Sequence, residues 1–220
     1  MKTREKILHT ALEQFNTQGI QEVSLRDIAN EINISVGNLN YHFPTTNDII
    51  YALSLQLVDD VNKAIENHMA VPATDSLLSL YQMMETTFNS HIKYRFLFNS
   101  RHAEIITSIP EMQNYYQETF ENHFIQGKHI FEQLVREGFL NDSILPHLNG
   151  FTYVQNALGL FWQQELAIFQ PKLSNKKKIE HAMTVLFVPY RPYLTKKGEA
   201  TLIPLLKELK PYKKGGLLNK

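Results

Sequence analysis

A chain of 220 residues with 43% hydrophobic and 20% charged side chains can bury a sizeable core, and that balance excludes wholesale disorder. The absence of cysteine removes disulfides, thiolate metal sites and cysteine nucleophiles together. Net charge is zero, but residues 1–50 carry four basic and six acidic side chains while residues 171–220 carry twelve Lys/Arg against three acids, which by itself points any nucleic-acid site to the C-terminal end.

The opening run MKTREKILHTALEQF is amphipathic and bears both signs of charge, so it does not read as a secretory signal. Ile7, Leu8, Ala11, Leu12 and Phe15 share one helical face. Gly19 is placed to end that helix in a left-handed conformation that side chains resist. Ser24 then serves as an N-cap, with Val23 and Ile28 at the spacing of a hydrophobic staple, and Leu25, Ile28, Ala29 and Ile32 line a short second helix.

The punctuation repeats at once. Ser35 is a second N-cap, with Ile34 and Leu39 as its staple, so little more than Asn33–Ile34 separates two short helices. Asparagine is the non-glycine residue best suited to the left-handed geometry of so sharp a turn. Thr45 caps a fourth helix with Asp48 in a capping-box position, and the helix runs through Leu53, Leu57 and Val61.

From Leu77 onward the expected helices are longer and rich in aromatics. Leu77, Tyr81, Met84 and Phe88 mark one stripe, and Pro110 opens a helix through Tyr116, Phe120, Phe124, Phe131 and Leu134 to Gly138. Further helices are predicted at 146–170 and 174–188, and a last one from Thr195 that Pro204 would kink. No strand alternation, repeat or membrane-length apolar run is present, so the expected fold is all-α in a soluble, cytoplasmic protein without membrane contact.

Two capped helices joined at a sharp turn and packed on a preceding helix make either a helix-turn-helix or an ordinary hairpin of a bundle. The second helix, SVGNLNYHF, favours the former. Val36, Gly37, Asn38, Asn40 and Tyr41 form a small, amide and phenolic outer face, while Leu39 and Phe43 turn inward. Asn can bond N6 and N7 of adenine together, and glycine permits close backbone approach to a groove.

Residues 5–50 closely resemble the DNA-binding domain of the TetR family. Its usual run is a turn glycine, V-S-x-G-T-L-Y-Y-H-F, two residues and a lysine opening the fourth helix. Ile34, Ser35, Gly37, Leu39, Tyr41, His42 and Phe43 follow that run, and Val23 to Ala29 match the upstream V-S-x-R-D-I-A. Asn33 replaces the turn glycine, Asn40 a common tyrosine, and Thr46 the phosphate-binding lysine. The resemblance implies that Ser24 and Arg26 reach phosphate and a base edge. It implies that Ser35, Val36, Gly37, Asn38 and Asn40 face the groove, with Tyr41, His42 and the Thr46 position at phosphates.

The same resemblance implies a DNA-binding domain at 1–47 and a ligand and dimer domain at 48–220, working as a homodimeric, ligand-responsive repressor on a palindromic operator in double-stranded DNA. Helices 146–170 and 174–188 are its expected dimer seam. The aromatic helices read first as core. As an effector pocket they offer Tyr81, Met84, Phe88, His91, Phe98, Arg101, His102, Tyr116, Phe120, His123, Phe124, Phe161 and Trp162, suited to a small apolar or aromatic molecule. The Lys176–Lys178 run and the basic tail read as a solvated face. No cofactor or metal is implied. The sequence lacks Glu-x-x-His, His-Glu-x-x-His, G-x-S-x-G and a Walker loop, and His129 with Glu132 is a lone pair, so an enzyme is not expected. A helical protein-interaction module is the remaining alternative, and a sequence-competed gel shift separates it from a regulator.

Overall fold

The structure is a computed structural model describing residues 2–69, 75–99 and 101–209, with the side chains of 64, 65, 67–69 and 123 outside the description. Among the described residues all regular structure is helical, apart from one isolated antiparallel bridge between Leu140 and Leu194. The basic tail from 210 and the His123 side chain fall outside the described residues. No described helix is long and apolar enough to cross a membrane. The chain forms two compact units, residues 1–62 with 90–115 and residues 63–89 with 116–220.

In the first unit, α1 (Thr3–Gln18) buries Ile7, Leu8, Ala11 and Phe15. It stops at Gly19, whose φ of +93° is positive as expected, but whose ψ of 153° is extended rather than left-handed helical. The difference has a local cause: the chain leaves into a 3₁₀ turn, Ile20–Glu22, closed by the Glu22 amide donating to the Gly19 carbonyl at 3.3 Å. Helices α2 (Leu25–Glu31), α3 (Val36–His42) and α4 (Thr46–Met69) follow. Ile28, Ala29, Leu39, Ile49 and Leu53 complete the core of this head.

The first unit also takes in the end of α5 (Ser76–Lys93), a 3₁₀ turn at Arg95–Phe98 and α6 (His102–Thr107). Asn16 ties this segment to α1 twice: its Nδ2 donates to the Lys93 carbonyl at 2.8 Å and its Oδ1 accepts from the Phe96 amide at 3.0 Å. Phe15 packs on Phe96 with ring centroids 5.4 Å apart. Asp60 accepts from Lys93 Nζ at 2.5 Å and from the Tyr94 hydroxyl at 2.9 Å. Burial, reinforced by the Asp60 carboxylate, pushes the Tyr94 phenol up to about 12.

In the second unit, α7 (Pro110–Arg136) closes in a Schellman turn. Gly138 has φ +76°, its amide donates to the Val135 carbonyl at 3.0 Å, and the Phe139 amide donates to Leu134 at 2.9 Å. The helix expected from Pro146 instead begins two residues later as α8 (Leu148–Phe169), because Pro146 lies inside a 3₁₀ turn, Asp142–His147. Ser174 caps α9 (Asn175–Phe187). Thr195 caps α10 (Lys196–Leu202), which ends rather than kinks before Pro204, now held in the 3₁₀ turn Ile203–Leu205.

Tyr190 is the hub of this core. Its ring lies 5.0 Å from Phe187, 5.6 Å from Phe131 and 5.6 Å from Phe151, and its hydroxyl accepts from Gln155 Nε2. Nearby, α10 docks on the α7 turn so closely that a Cβ on Gly198 would stand 2.1 Å from the Phe139 carbonyl oxygen. Glycine is required there by space, not by φ.

Candidate nucleic-acid interface

The interface is built from the turn outward. After α2, Asn33 adopts φ +55°, the only positive φ of a non-glycine among the described residues. Its amide donates to the Asn30 carbonyl at 3.1 Å, and the Ile34 amide donates to Ala29 at 3.0 Å. Both bonds of a Schellman turn are thus present with asparagine in the glycine position.

Two serines fix the helices on either side. Ser24 Oγ accepts the Asp27 amide at 3.2 Å, while the Asp27 carboxylate accepts the Ser24 amide at 2.9 Å and its hydroxyl at 2.5 Å. The two hydrogen bonds from Ser24 hold the Asp27 carboxyl below the usual carboxylate range. Ser35 Oγ accepts the Asn38 amide at 3.1 Å at the start of α3. At the next junction, Thr45 and Asp48 form the expected capping box with bonds of 2.6–3.2 Å.

This scaffold sorts α3 into two faces. Leu39 and Phe43 are buried. Ser35, Gly37, Asn38, Asn40 and Tyr41 are exposed, Tyr41 by 85%, while Val36 and His42 are half-buried. The Tyr41 and His42 rings meet edge-on at 5.4 Å. Ser24 and Arg26 are exposed at the start of α2, and Thr46 is half-buried at the start of α4. The expected contact residues therefore lie on the exposed or half-exposed side of α3 and at the starts of α2 and α4. Arg4 was not among them. Its guanidinium carbon stands 5.0 Å from the Phe43 ring centroid, and the legible signal was an arginine on the stripe of Ile7, Leu8 and Ala11.

The effector candidates divide between the two units. In the first, His91 stacks on Phe98 at 4.1 Å, and Phe98 on His102 at 5.4 Å. Burial, with a smaller contribution from His102, pushes the His91 imidazole down to about 3, so it is neutral at physiological pH. Burial also lowers His102, whose Nδ1 donates to the Leu97 carbonyl. Arg101 is engaged by Glu104 through Nε at 2.6 Å and through Nη2 in an exposed ion pair.

In the second unit, buried Phe88 packs on buried Trp162 at 5.1 Å, and half-buried Tyr81 on Phe187 at 5.4 Å. Met84 and Tyr116 are half-buried. Phe120 and Phe124 lie 5.1 Å apart and both meet Tyr153 edge-on. Phe161 is 55% exposed and lies on the outer face of α8. Two hollows of about 540 and 330 Å³ in the first unit have mixed polar and apolar linings, and none of these candidates borders them. His129 and Glu132 are 3.8 Å apart and Lys128 shares the carboxylate; no group of three His, Asp or Glu among the described residues could hold a metal.

Residues 61–202 match the TetR family model described as bacterial transcriptional repressor, and residues 7–53 match that of bacterial regulatory proteins, tetR family. A probable HTH-type transcriptional regulator of Bacillus subtilis (strain 168), YttP, is 23% identical over 143 residues, 63% of this chain and 65% of that protein. A probable acrEF/envCD operon repressor of Escherichia coli (strain K12) is 29% identical over 69 residues, 31% of each. The chain thus spans less than two thirds of the curated relatives it matches.

Among solved structures, a TetR-family regulator from Marinobacter aquaeolei VT8 has a TM-score of 0.81 at 24% identity, over 93% of this chain and 98% of that one. A regulator from Saccharomonospora viridis, solved in complex with choline, has a TM-score of 0.65 at 16% identity over 88% and 98%. These structures share the fold. With family models matched over both its N-terminal head and most of its helical body, the chain belongs to the TetR family of bacterial transcriptional regulators.

Proposed function

We propose that this chain is a ligand-responsive repressor that binds a near-palindromic operator as a homodimer, reading bases with α3 and the start of α2. The observation that carries the reading is the exposed Gly37–Asn38–Asn40–Tyr41 face, held by two serine caps and the Asn33 turn. A hairpin that served only to pack would have no need to present amides and a phenol on one small face. Residues 1–47 are the reading head, and residues 48–220 carry ligand binding and dimerisation.

Dimerisation is supported by α8. Val154, Phe161 and Ile168 are 50%, 55% and 72% exposed and recur every seven residues, the spacing of a helix–helix seam. By contrast, α9 buries Ile179, Met183, Leu186 and Phe187 within its own unit and meets α8 through His181 and Glu165, 3.7 Å apart. Two-fold pairing of heads on half-sites one helical turn apart gives the palindrome. The aromatic groups around Tyr81, Phe88 and Trp162 support a small apolar or aromatic effector, and the choline complex of the Saccharomonospora viridis regulator supports a small organic ligand in such a body. An effector acts only through its different affinity for the DNA-competent and DNA-incompetent states.

Selection of duplexes from a random pool tests the central claim. Arg26→Ala and Asn38→Ala are each expected to flatten preference at defined positions by roughly 1–3 kcal/mol per wrong base. Equal weakening on selected and random DNA would show that they touch only the backbone.

Gly37 supplies an independent check. A Cβ there would find only Ser35 Oγ at 3.9 Å, so the fold itself has no need of glycine. Gly37→Ala is expected to raise thermal stability by roughly 0.5–1 kcal/mol while weakening operator binding. Unchanged binding would mean that the backbone at 37 does not approach DNA.

For the seam, sedimentation at micromolar concentration is expected to show a wild-type dimer and an Ile168→Glu monomer with unchanged helicity. A monomeric wild type, or a dimeric variant, contradicts the seam. For the effector, hydrophobic acids and aromatic compounds are titrated with and without operator. A true effector should quench Trp162, the only tryptophan, and loosen operator binding by the factor by which operator loosens its own. Binders that leave operator affinity untouched would reduce the aromatic groups to core.

A further inference from the structure

Three of the four basic side chains in the first fifty residues, Lys2, Arg4 and Lys6, stand at the start of α1, but they do not share a face. At about 100° per residue, Arg4 falls on the inward stripe of Ile7, Leu8, Ala11 and Phe15, whereas Lys6 falls with His9 and Glu13 on the outward side. An arginine on an inward stripe has to find something to lie on. Its guanidinium carbon is 5.0 Å from the centroid of the Phe43 ring, which is only 3% exposed and closes α3 as its C-cap residue.

The Arg4 side chain itself remains exposed. Its guanidinium lies over an aromatic ring while the side chain stays open to water, held by the attraction of a cation to a ring face. Among the described residues it makes no ion pair, and the neighbouring Glu5 carboxylate accepts the Lys2 amide at 2.9 Å. Phe43 follows Tyr41 and His42 directly, so the seated guanidinium borders the C-terminal edge of the reading helix. Thr46 brings no cation to the start of α4, and the first fifty residues have an excess of two acids.

We propose that Arg4 is a DNA-phosphate-binding residue, its guanidinium pre-positioned by the Phe43 ring to clamp the sugar–phosphate backbone at the C-terminal edge of α3. A planar guanidinium can donate two parallel bonds to a phosphate, and one held in place by stacking loses less side-chain freedom on binding. This assignment rests on the DNA-binding reading above. It adds an anchor on α1, outside the helix-turn-helix proper, that fixes register without reading sequence.

The experiment measures affinity against salt for the wild type, Arg4→Met and Lys6→Gln, on the duplex the wild type selects from a random pool and on an unrelated duplex of equal length. Arg4→Met keeps a stem over Phe43 and removes the charge; Arg4→Gln is the second variant if Arg4→Met shifts the melting temperature. Loss of Arg4 is expected to weaken both duplexes by the same factor. It should also reduce the slope of log K against log salt by about 0.9 per subunit, or about 1.8 for a dimer, so that the fall in affinity between about 50 and 200 mM salt is roughly tenfold smaller than for wild type.

Lys6→Gln makes the same change in net charge and is expected to leave the slope alone, while Arg4→Lys restores it. An unchanged slope in the Arg4 variants overturns the proposal, as does an equal reduction in Lys6→Gln, which would reveal only a general charge effect. A wild type that selects no duplex overturns it together with the DNA-binding reading, and that outcome shows in the wild-type arm by itself.

Discussion

The angle at which α3 leaves α2 hangs on the backbone of Asn33. Left-handed φ costs an L-residue roughly 1–2 kcal/mol, least for asparagine and aspartate, and here two turn-closing amide bonds offset it. A seven-residue helix is far too short to persist in water alone. It persists because Leu39 and Phe43 are buried in the head and because Ser35 captures the Asn38 amide within two residues of the turn. Each outward side chain of α3 inherits its direction from that sequence of constraints. A residue at 33 that resisted positive φ would move the whole face, not one contact.

The helical body repeats the device with a different consequence. Its Schellman turn at Gly138 presents the Phe139 carbonyl to Thr195, whose amide donates to it at 3.0 Å. Lys197 spans the same turn, donating to the Glu137 carbonyl at 2.8 Å with its ammonium 3.8 Å from the Phe139 ring centroid. Gly198 then has to be glycine because the α7 turn occupies the place of its side chain. The body thus uses glycine for closeness inside itself, whereas the head exposes Gly37 where nothing of its own approaches. The same residue type means packing in one place and an open surface in the other.

Electrostatics and packing divide the work of the head. The head carries few cations, and the exposed face of α3 offers amide and backbone groups instead. The head does not stand alone either: Asn16 holds the Lys93–Phe96 turn to α1 with two hydrogen bonds, and Asp60 holds Lys93 and Tyr94. Helices α4, α5 and α7 each continue from one compact unit into the other.

The all-α class, the two serine caps, the turn at Asn33, the Thr45–Asp48 box and the proline start at 110 were legible in the sequence because each is a local matter. A cap, a staple or a positive φ is decided by residues within about five positions of one another. The family match was legible for the same reason, since its run is contiguous from Val23 to Phe43. Tertiary structure decided what depends on distant partners. It seated Arg4 on Phe43 and paired Asn16 with a turn some eighty residues away. It also left Val154, Phe161 and Ile168 outside the core of their own unit while burying Phe88 and Trp162 within it. Periodicity shows that a helix has an apolar side, but which apolar side chains are covered depends on what the rest of the chain brings against them.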